Sequence, residues 1–167
     1  MDVRFEMGPK FSPIPGAQGF QQSNPATLTI ISLLGSLQTF KKAGMMGPLR
    51  ERSKMLTGKL ESLLRRSAFF VPPEKALARK NPGFTIITPT DPESRGAQLS
   101  LLFLPQGSTV MDRVFAGLKE GGIIGDDRKP DVIRLSPTPL YNTEEDVEAA
   151  ARFLDVVLGR LTRQARL

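Results

Sequence analysis

The sequence contains no histidine and no cysteine. Without an imidazole there is no Ser-His-Asp triad, no imidazole general base and no ordinary zinc site, so any chemistry has to draw on Lys, Tyr, carboxylates or a borrowed cofactor. Without thiols there are no disulfides, no thiolate nucleophile and no Cys-ligated metal. Long apolar runs are missing as well. Nothing approaches the roughly 20 residues needed to cross a bilayer, and the opening residues MDVRFEMGPK lack the apolar centre of a secretory signal. The expectation is a soluble, cytoplasmic protein with no membrane partner and no bound metal. No Walker loop, GxGxxG after a strand, HExxH, GxSxG or EF-hand pattern occurs either.

What is present is a globular composition: 167 residues, 40% hydrophobic and 24% charged, the size of one ordinary domain. The net charge of +6 raises the question of a nucleic-acid partner. The distribution argues against one. Lys41, Lys42, Arg50, Arg52, Lys54, Lys59, Arg65 and Arg66 alternate with Glu51 and Glu61, and no aromatic residues interleave them as a stacking platform would require. A solvated helix face accounts for them, and salt-sensitive binding of DNA or RNA is not expected.

Along the chain, residues 11 to 25 (FSPIPGAQGFQQSNP) are rich in Pro, Gly and Gln without a regular period, yet Phe11, Ile14 and Phe20 need something to pack against. This is the pattern of an active-site loop. Asn24-Pro25 predicts a helix start, and Ile30, Leu33, Leu34, Leu37 and Phe40 follow at helical spacing up to Lys42, before Gly44 and Pro48. A second helix carries Leu49, Leu56, Leu60, Leu63 and Leu64 on one face. Residues 67 to 83 read as a surface connector. Residues 84–88 (FTIIT) and 97–104 (AQLSLLFL) read as strands around a PTDP turn. Thr109 and Asp112 predict a capping box for a helix with Val110, Val114, Phe115 and Leu118 inward, closed by Gly121-Gly122. Ile123-Ile124 and residues 132–135 predict two more short strands. A last helix starts at Asn142 or Thr143, gathers Glu144, Glu145 and Asp146 in its first turn, and turns Val147, Ala150, Leu154, Val157, Leu158 and Leu161 inward. This order predicts an α+β fold with a small, mostly antiparallel sheet and helices on one face. The first 45 residues or so stand apart, with a helix that has to dock on something outside this unit.

Three residues are candidates for chemistry. Arg134 sits between Val132 and Ser136 while Ile133 and Leu135 take the other face of the strand, so it points away from the helix-packed core. Its planar fork suits a carboxylate; the plainer alternative is an exposed strand arginine paired with a surface acid. Asn24 can cap the first helix or hydrogen-bond a ligand from a loop end, and the two are compatible. Tyr141, the one tyrosine, is either a packed corner residue or a general acid.

Four strings extend this reading: GAQGFQQSNP at 16–25, KMLTGKLESLL at 54–64, FTIITPTDPESRGAQLSLLF at 84–103 and GGIIGDDRKPDVIRLSPTPLYNTEEDV at 121–147. In this order, and across nearly the whole chain, they resemble the C-terminal part of kynureninases. That family comprises homodimeric pyridoxal-phosphate enzymes of the aspartate-aminotransferase fold (fold type I). They hydrolyse L-kynurenine or 3-hydroxykynurenine to anthranilate or 3-hydroxyanthranilate and L-alanine, on the route from tryptophan to NAD. The resemblance implies that Arg134 binds the substrate α-carboxylate, and that Asn24 reaches the cofactor and substrate with Phe20 and Ser23 shaping the pocket. It also implies that residues 1–44 end the large cofactor-binding domain and that residues 45–167 form the C-terminal small domain, in an α+β arrangement of the wider α/β family. The Schiff-base lysine, the aspartate under the pyridine nitrogen and the phosphate-binding residues are expected before residue 1, because no lysine here stands in a matching context. Alone, then, the chain is expected to be inactive. A non-catalytic chain that pairs with a full-length subunit or a complementary N-terminal half is the alternative.

Overall fold

The computed structural model of the protein describes residues 9–21 and 23–164. The chain divides into two compact units, Met1–Lys42 and Ala43–Leu167.

In the first unit the Pro- and Gly-rich stretch folds on itself. Gly16 takes a left-handed φ of 85°, and its carbonyl accepts the Gly19 N–H at 3.1 Å. A side chain at Gly19 would place its Cβ 2.2 Å from the Ile14 carbonyl oxygen, so only glycine closes this turn. The closure brings the rings of Phe11 and Phe20 to 6.0 Å, centre to centre. Helix α1 then spans Thr27–Lys42. The Ala26 carbonyl receives the Ile30 N–H at 3.2 Å, so the helix begins two residues later than Asn24-Pro25 predicts. The signal is two-sided: a residue before proline is biased toward extended backbone, and here Asn24 and Pro25 precede the helix. No residue of α1 is buried, and Leu28, Ile30, Leu33, Leu34 and Leu37 are all more than half exposed.

The second unit is a four-stranded antiparallel sheet backed by three helices. Helix α2, Met46–Arg66, buries Leu49, Leu56, Leu60 and Leu64 along one stripe. Strands β1 (Gly83–Ile86), β2 (Leu99–Leu104), β3 (Asp126–Arg128) and β4 (Val132–Leu135) lie in the order β1-β2-β4-β3. Between β2 and β3 runs α3, Val110–Glu120, and α4, Glu144–Gln164, follows β4. Alternation decides the layers. Phe84, Ile86, Leu99, Leu101, Phe103, Ile133 and Leu135 project to one side, where they meet Leu56, Leu60 and Leu64 of α2, Met111, Val114 and Leu118 of α3, and Leu154 and Leu158 of α4 in a single core. None of the described helices is long and apolar enough to cross a membrane.

Local chemistry fixes the helix ends. At α4 the Thr143 hydroxyl accepts the Asp146 N–H at 3.2 Å while the Asp146 carboxylate accepts the Thr143 N–H at 2.9 Å, a reciprocal capping box. At the end of α3 the Ile123 N–H donates to the Leu118 carbonyl at 2.9 Å across Gly122, whose φ of 77° is left-handed. The start of α3 differs from expectation. Thr109 makes no side-chain cap; the Ser108 hydroxyl accepts the Val110 N–H at 3.3 Å instead, and Asp112 pairs with Lys129.

Three further expectations are corrected. Residues 67–83 are not a bare surface connector. Phe69 and Phe70 pack against the core, Val71 and Ala76 are buried with Leu104, and Val71 and Phe69 bond Phe84 through the backbone. Ile123-Ile124 is not a strand. The edge strand is Asp126–Arg128, because pairing with β4 satisfies its backbone whatever its side chains. On α4 the buried small residue is Ala151, while Ala150 is half-buried; the other inward residues are as expected.

Candidate functional site

The face of the sheet opposite the helices carries the polar residues of the strands. β4 is central, so Arg134 has a neighbour on each side: Ser100 on β2 and Asp126 on β3 stand directly across from it. The Ser100 N–H donates to the Thr88 hydroxyl at 2.8 Å, and its own hydroxyl accepts from Gln98 Nε2 at 3.2 Å. Arg134 Nη2 donates to Asp126 Oδ2, and Arg128 Nη2 reaches the same oxygen at 3.0 Å. The Arg134 side chain is 30% exposed, yet its Nε is buried without a hydrogen-bond partner. The buried Thr85 hydroxyl is likewise unpartnered, and alternation places it on this same face. Buried donors without acceptors are uncommon in folded proteins, and each calls for an explanation.

Arg134 therefore points as its sequence position predicts, away from the helices. The plainer pairing with a surface acid is also present, through Asp126, but it uses only part of the guanidinium. That Asp126, Arg128 and Ser100 neighbour Arg134 is not legible in the sequence. The available signal was the Asp-x-Arg alternation of Asp126 and Arg128 just before the Lys-Pro-Asp turn that leads into β4.

Phe20, Ser23 and Asn24 belong to the first unit and Arg134 to the second. Phe20 is 71% exposed, and Ser23 and Asn24 are exposed as well. The Gln21 side-chain amide donates to the Ser23 carbonyl at 2.6 Å and holds the loop just before Asn24. The exposed amide and the exposed ring are chemically suited to contact a ligand, but they do not by themselves enclose one. Tyr141 is 72% exposed, which corrects the reading of a packed corner. It stands on the rim of an open groove of roughly 520 Å³ between Gly121–Ile124 and the start of α4, with Leu135 and Leu60 also lining it. Leu135 projects to the helix side, so this groove and Arg134 lie on opposite faces of the sheet.

The loop between β1 and β2 is fastened to α2. Arg95, only 4% exposed, donates to Glu61 at 2.5 Å and to the Pro89 carbonyl at 3.0 Å. Arg65 binds the other oxygen of Glu61 at 2.8 Å. Burial pushes the Glu61 carboxyl up, but the hydrogen bonds from Arg95 and Arg65 outweigh it and hold the group below its ordinary value.

Sheet and helices define an α+β domain with one face packed against helices and the other carrying Arg134. Comparison with known proteins makes the class particular. Residues 49–154 match the kynureninase C-terminal domain, and the chain belongs to the kynureninase family. It is 46% identical to the kynureninase of Eremothecium gossypii over 98% of this chain and 37% of that protein. The kynureninase of Yarrowia lipolytica is 48% identical over 92% of this chain and 36% of its own length, and that of Coccidioides immitis 50% identical over 87% and 28%. The chain thus spans about a third of the length of the curated relatives it matches.

Proposed function

We propose that this chain supplies the carboxylate-recognising part of a kynureninase, which hydrolyses L-kynurenine or 3-hydroxykynurenine to anthranilate or 3-hydroxyanthranilate and L-alanine. The observation that carries the reading is the buried, unpartnered Nε of Arg134 on the open face of the sheet. An arginine binds a carboxylate best through two parallel N–H donors, and a strand backbone held on both sides by neighbouring strands fixes where the side chain leaves the sheet. The whole protein's pyridoxal phosphate supplies the electron sink for carbon–carbon cleavage. The part we assign to this chain is therefore binding and orientation: Arg134 receives the carboxylate, and Asn24, Phe20 and Ser23 are assigned by the family resemblance to cofactor and substrate contacts.

A second observation favours a partner chain or segment. The apolar stripe of α1 is uncovered within its own unit, as expected of a helix that docks on the remainder of a larger domain or on a second subunit of a homodimer. Pairing without catalysis is the alternative reading of the 167 residues taken alone.

The test uses kynurenine hydrolysis. In a protein that also carries the cofactor-holding residues, Arg134→Lys and Arg134→Ala are expected to weaken substrate binding by about 2 to 5 kcal/mol, the cost of losing one side of a desolvated charged pair. Unchanged affinity would make Arg134 a structural residue. The chain alone, with pyridoxal phosphate added, is expected to be inactive, and co-expression with a complementary N-terminal half to restore turnover. Turnover by the chain alone would overturn the division of labour.

A further inference from the structure

Arg134 already holds a carboxylate, but imperfectly. Its Nη2 donates to Asp126 Oδ2, while Nε, on the same edge of the guanidinium, is buried without an acceptor. A carboxylate that satisfied this edge would take Nε and Nη2 together. Asp126 takes one of them. The same Oδ2 also accepts from Arg128 Nη2 at 3.0 Å, so a single carboxylate oxygen is shared between two guanidinium groups. Two positive charges and one negative leave the cluster with a single positive charge, matched to a monoanion. Asp126 and Arg128 are both well exposed, with side chains 47% and 58% accessible, so Asp126 can move without opening the core. Arg134 is more enclosed, with its side chain 30% exposed and its Nε buried.

We propose that Asp126 is an exchangeable internal counter-ion for Arg134. It holds half of the fork until the carboxylate of a small monoanionic ligand takes Nε and Nη2, and it then rests on Arg128. On this view Asp126 competes with the ligand and sets the affinity of the site, while Arg128 is the acceptor of the displaced charge. Both are specificity-determining residues, and neither touches reacting atoms. The inference rests on the reading of Arg134 as the carboxylate-binding residue. The rival role, in which Asp126 is a fixed support that aims Arg134, gives the opposite sign on mutation: removing a support weakens binding, whereas removing a competitor strengthens it.

The experiment follows the Arg134 Nε–Hε resonance of the nitrogen-labelled 167-residue chain during titration with sodium propionate. Arg134→Lys identifies the resonance by its loss, and sodium chloride at equal ionic strength controls for screening. Propionate is expected to shift the signal. In Asp126→Asn, which keeps an acceptor but removes the charge, the apparent Kd is expected to fall about fivefold, the scale of a partly exposed ion pair. In Arg128→Gln, which leaves Asp126 with Arg134 alone, it is expected to rise by a similar factor. Unchanged or weaker binding in Asp126→Asn, with Arg134 still responding to propionate, overturns the counter-ion role and leaves the carboxylate reading of Arg134 intact. No response at Arg134 in wild type or in Asp126→Asn overturns both. Circular dichroism checks the fold of each variant. Should Asp126→Asn not fold, Arg128→Gln decides alone, and unchanged affinity there overturns the proposal.

Discussion

Replacing Arg95 by methionine removes the clasp between the β1–β2 loop and α2 while keeping a long apolar stem in place. Arg95 is 4% exposed and its partner Glu61 13%, so the pair lies on the buried side of the scale. Removing one partner of such a pair costs about 3 to 5 kcal/mol, chiefly because the remaining charge is left desolvated. Glu61 keeps Arg65 at 2.8 Å, which places the expected loss for Arg95→Met at the lower end, about 3 kcal/mol. For a domain of this size, that lowers Tm by roughly 6 to 12 °C. Urea unfolding at neutral pH gives the free energy. The double variant Arg95→Met with Glu61→Leu is expected to recover most of the loss, since an apolar pair needs no desolvation. The pH dependence supplies a second check. Glu61 is held below its ordinary 4.5 in the folded protein, so its stabilisation is complete above that value and is lost as pH falls through the lower, folded one. Arg95→Met removes a donor that depresses this group and should therefore lose less stability on acidification than wild type. A single variant within about 0.5 kcal/mol of wild type, the range of an ordinary surface substitution, would refute the clasp.

Other perturbations probe the local rules separately. Gly122→Ala meets nothing within 4 Å but must hold a φ of 77°, so about 1 to 2 kcal/mol of pure backbone strain is expected in the same unfolding assay. Gly121→Ala drives a Cβ to 2.2 Å from the Phe153 ring and should cost more than its neighbour; equal costs would mean that the ring gives way freely. Thr143→Ala removes the hydroxyl half of the α4 capping box, for about 1 kcal/mol, and amide exchange in the first turn of α4 should rise with it. Leu101→Ala opens a cavity at the centre of β2, where the native side chain is fully buried, and about 2 to 5 kcal/mol should be lost. A loss under about 1 kcal/mol would show that the core collapses around the gap.

Features that depend on period and on short-range bonds are legible along the chain. The leucine stripe of α2, the alternation of β2 and the Thr143–Asp146 cap are written in neighbouring residues, and so is the direction of Arg134, because two buried neighbours, Ile133 and Leu135, leave it one face to point from. Tertiary structure alone decided what stands across from each residue. Asp-Asp-Arg has no strand signal, and it is a strand only because β4 offers it a ladder; that pairing is what brings Asp126 to Arg134. Phe69, Phe70 and Val71 looked like a connector because their packing partners are strand residues that follow later in the chain. Tyr141 looked like a packed corner and stands open, since its surroundings come from the end of α3 and the start of α4 and not from its own turn. Local sequence sets which way a side chain leaves the backbone, and the partners it meets come from strand pairing and helix packing over long separations in the chain.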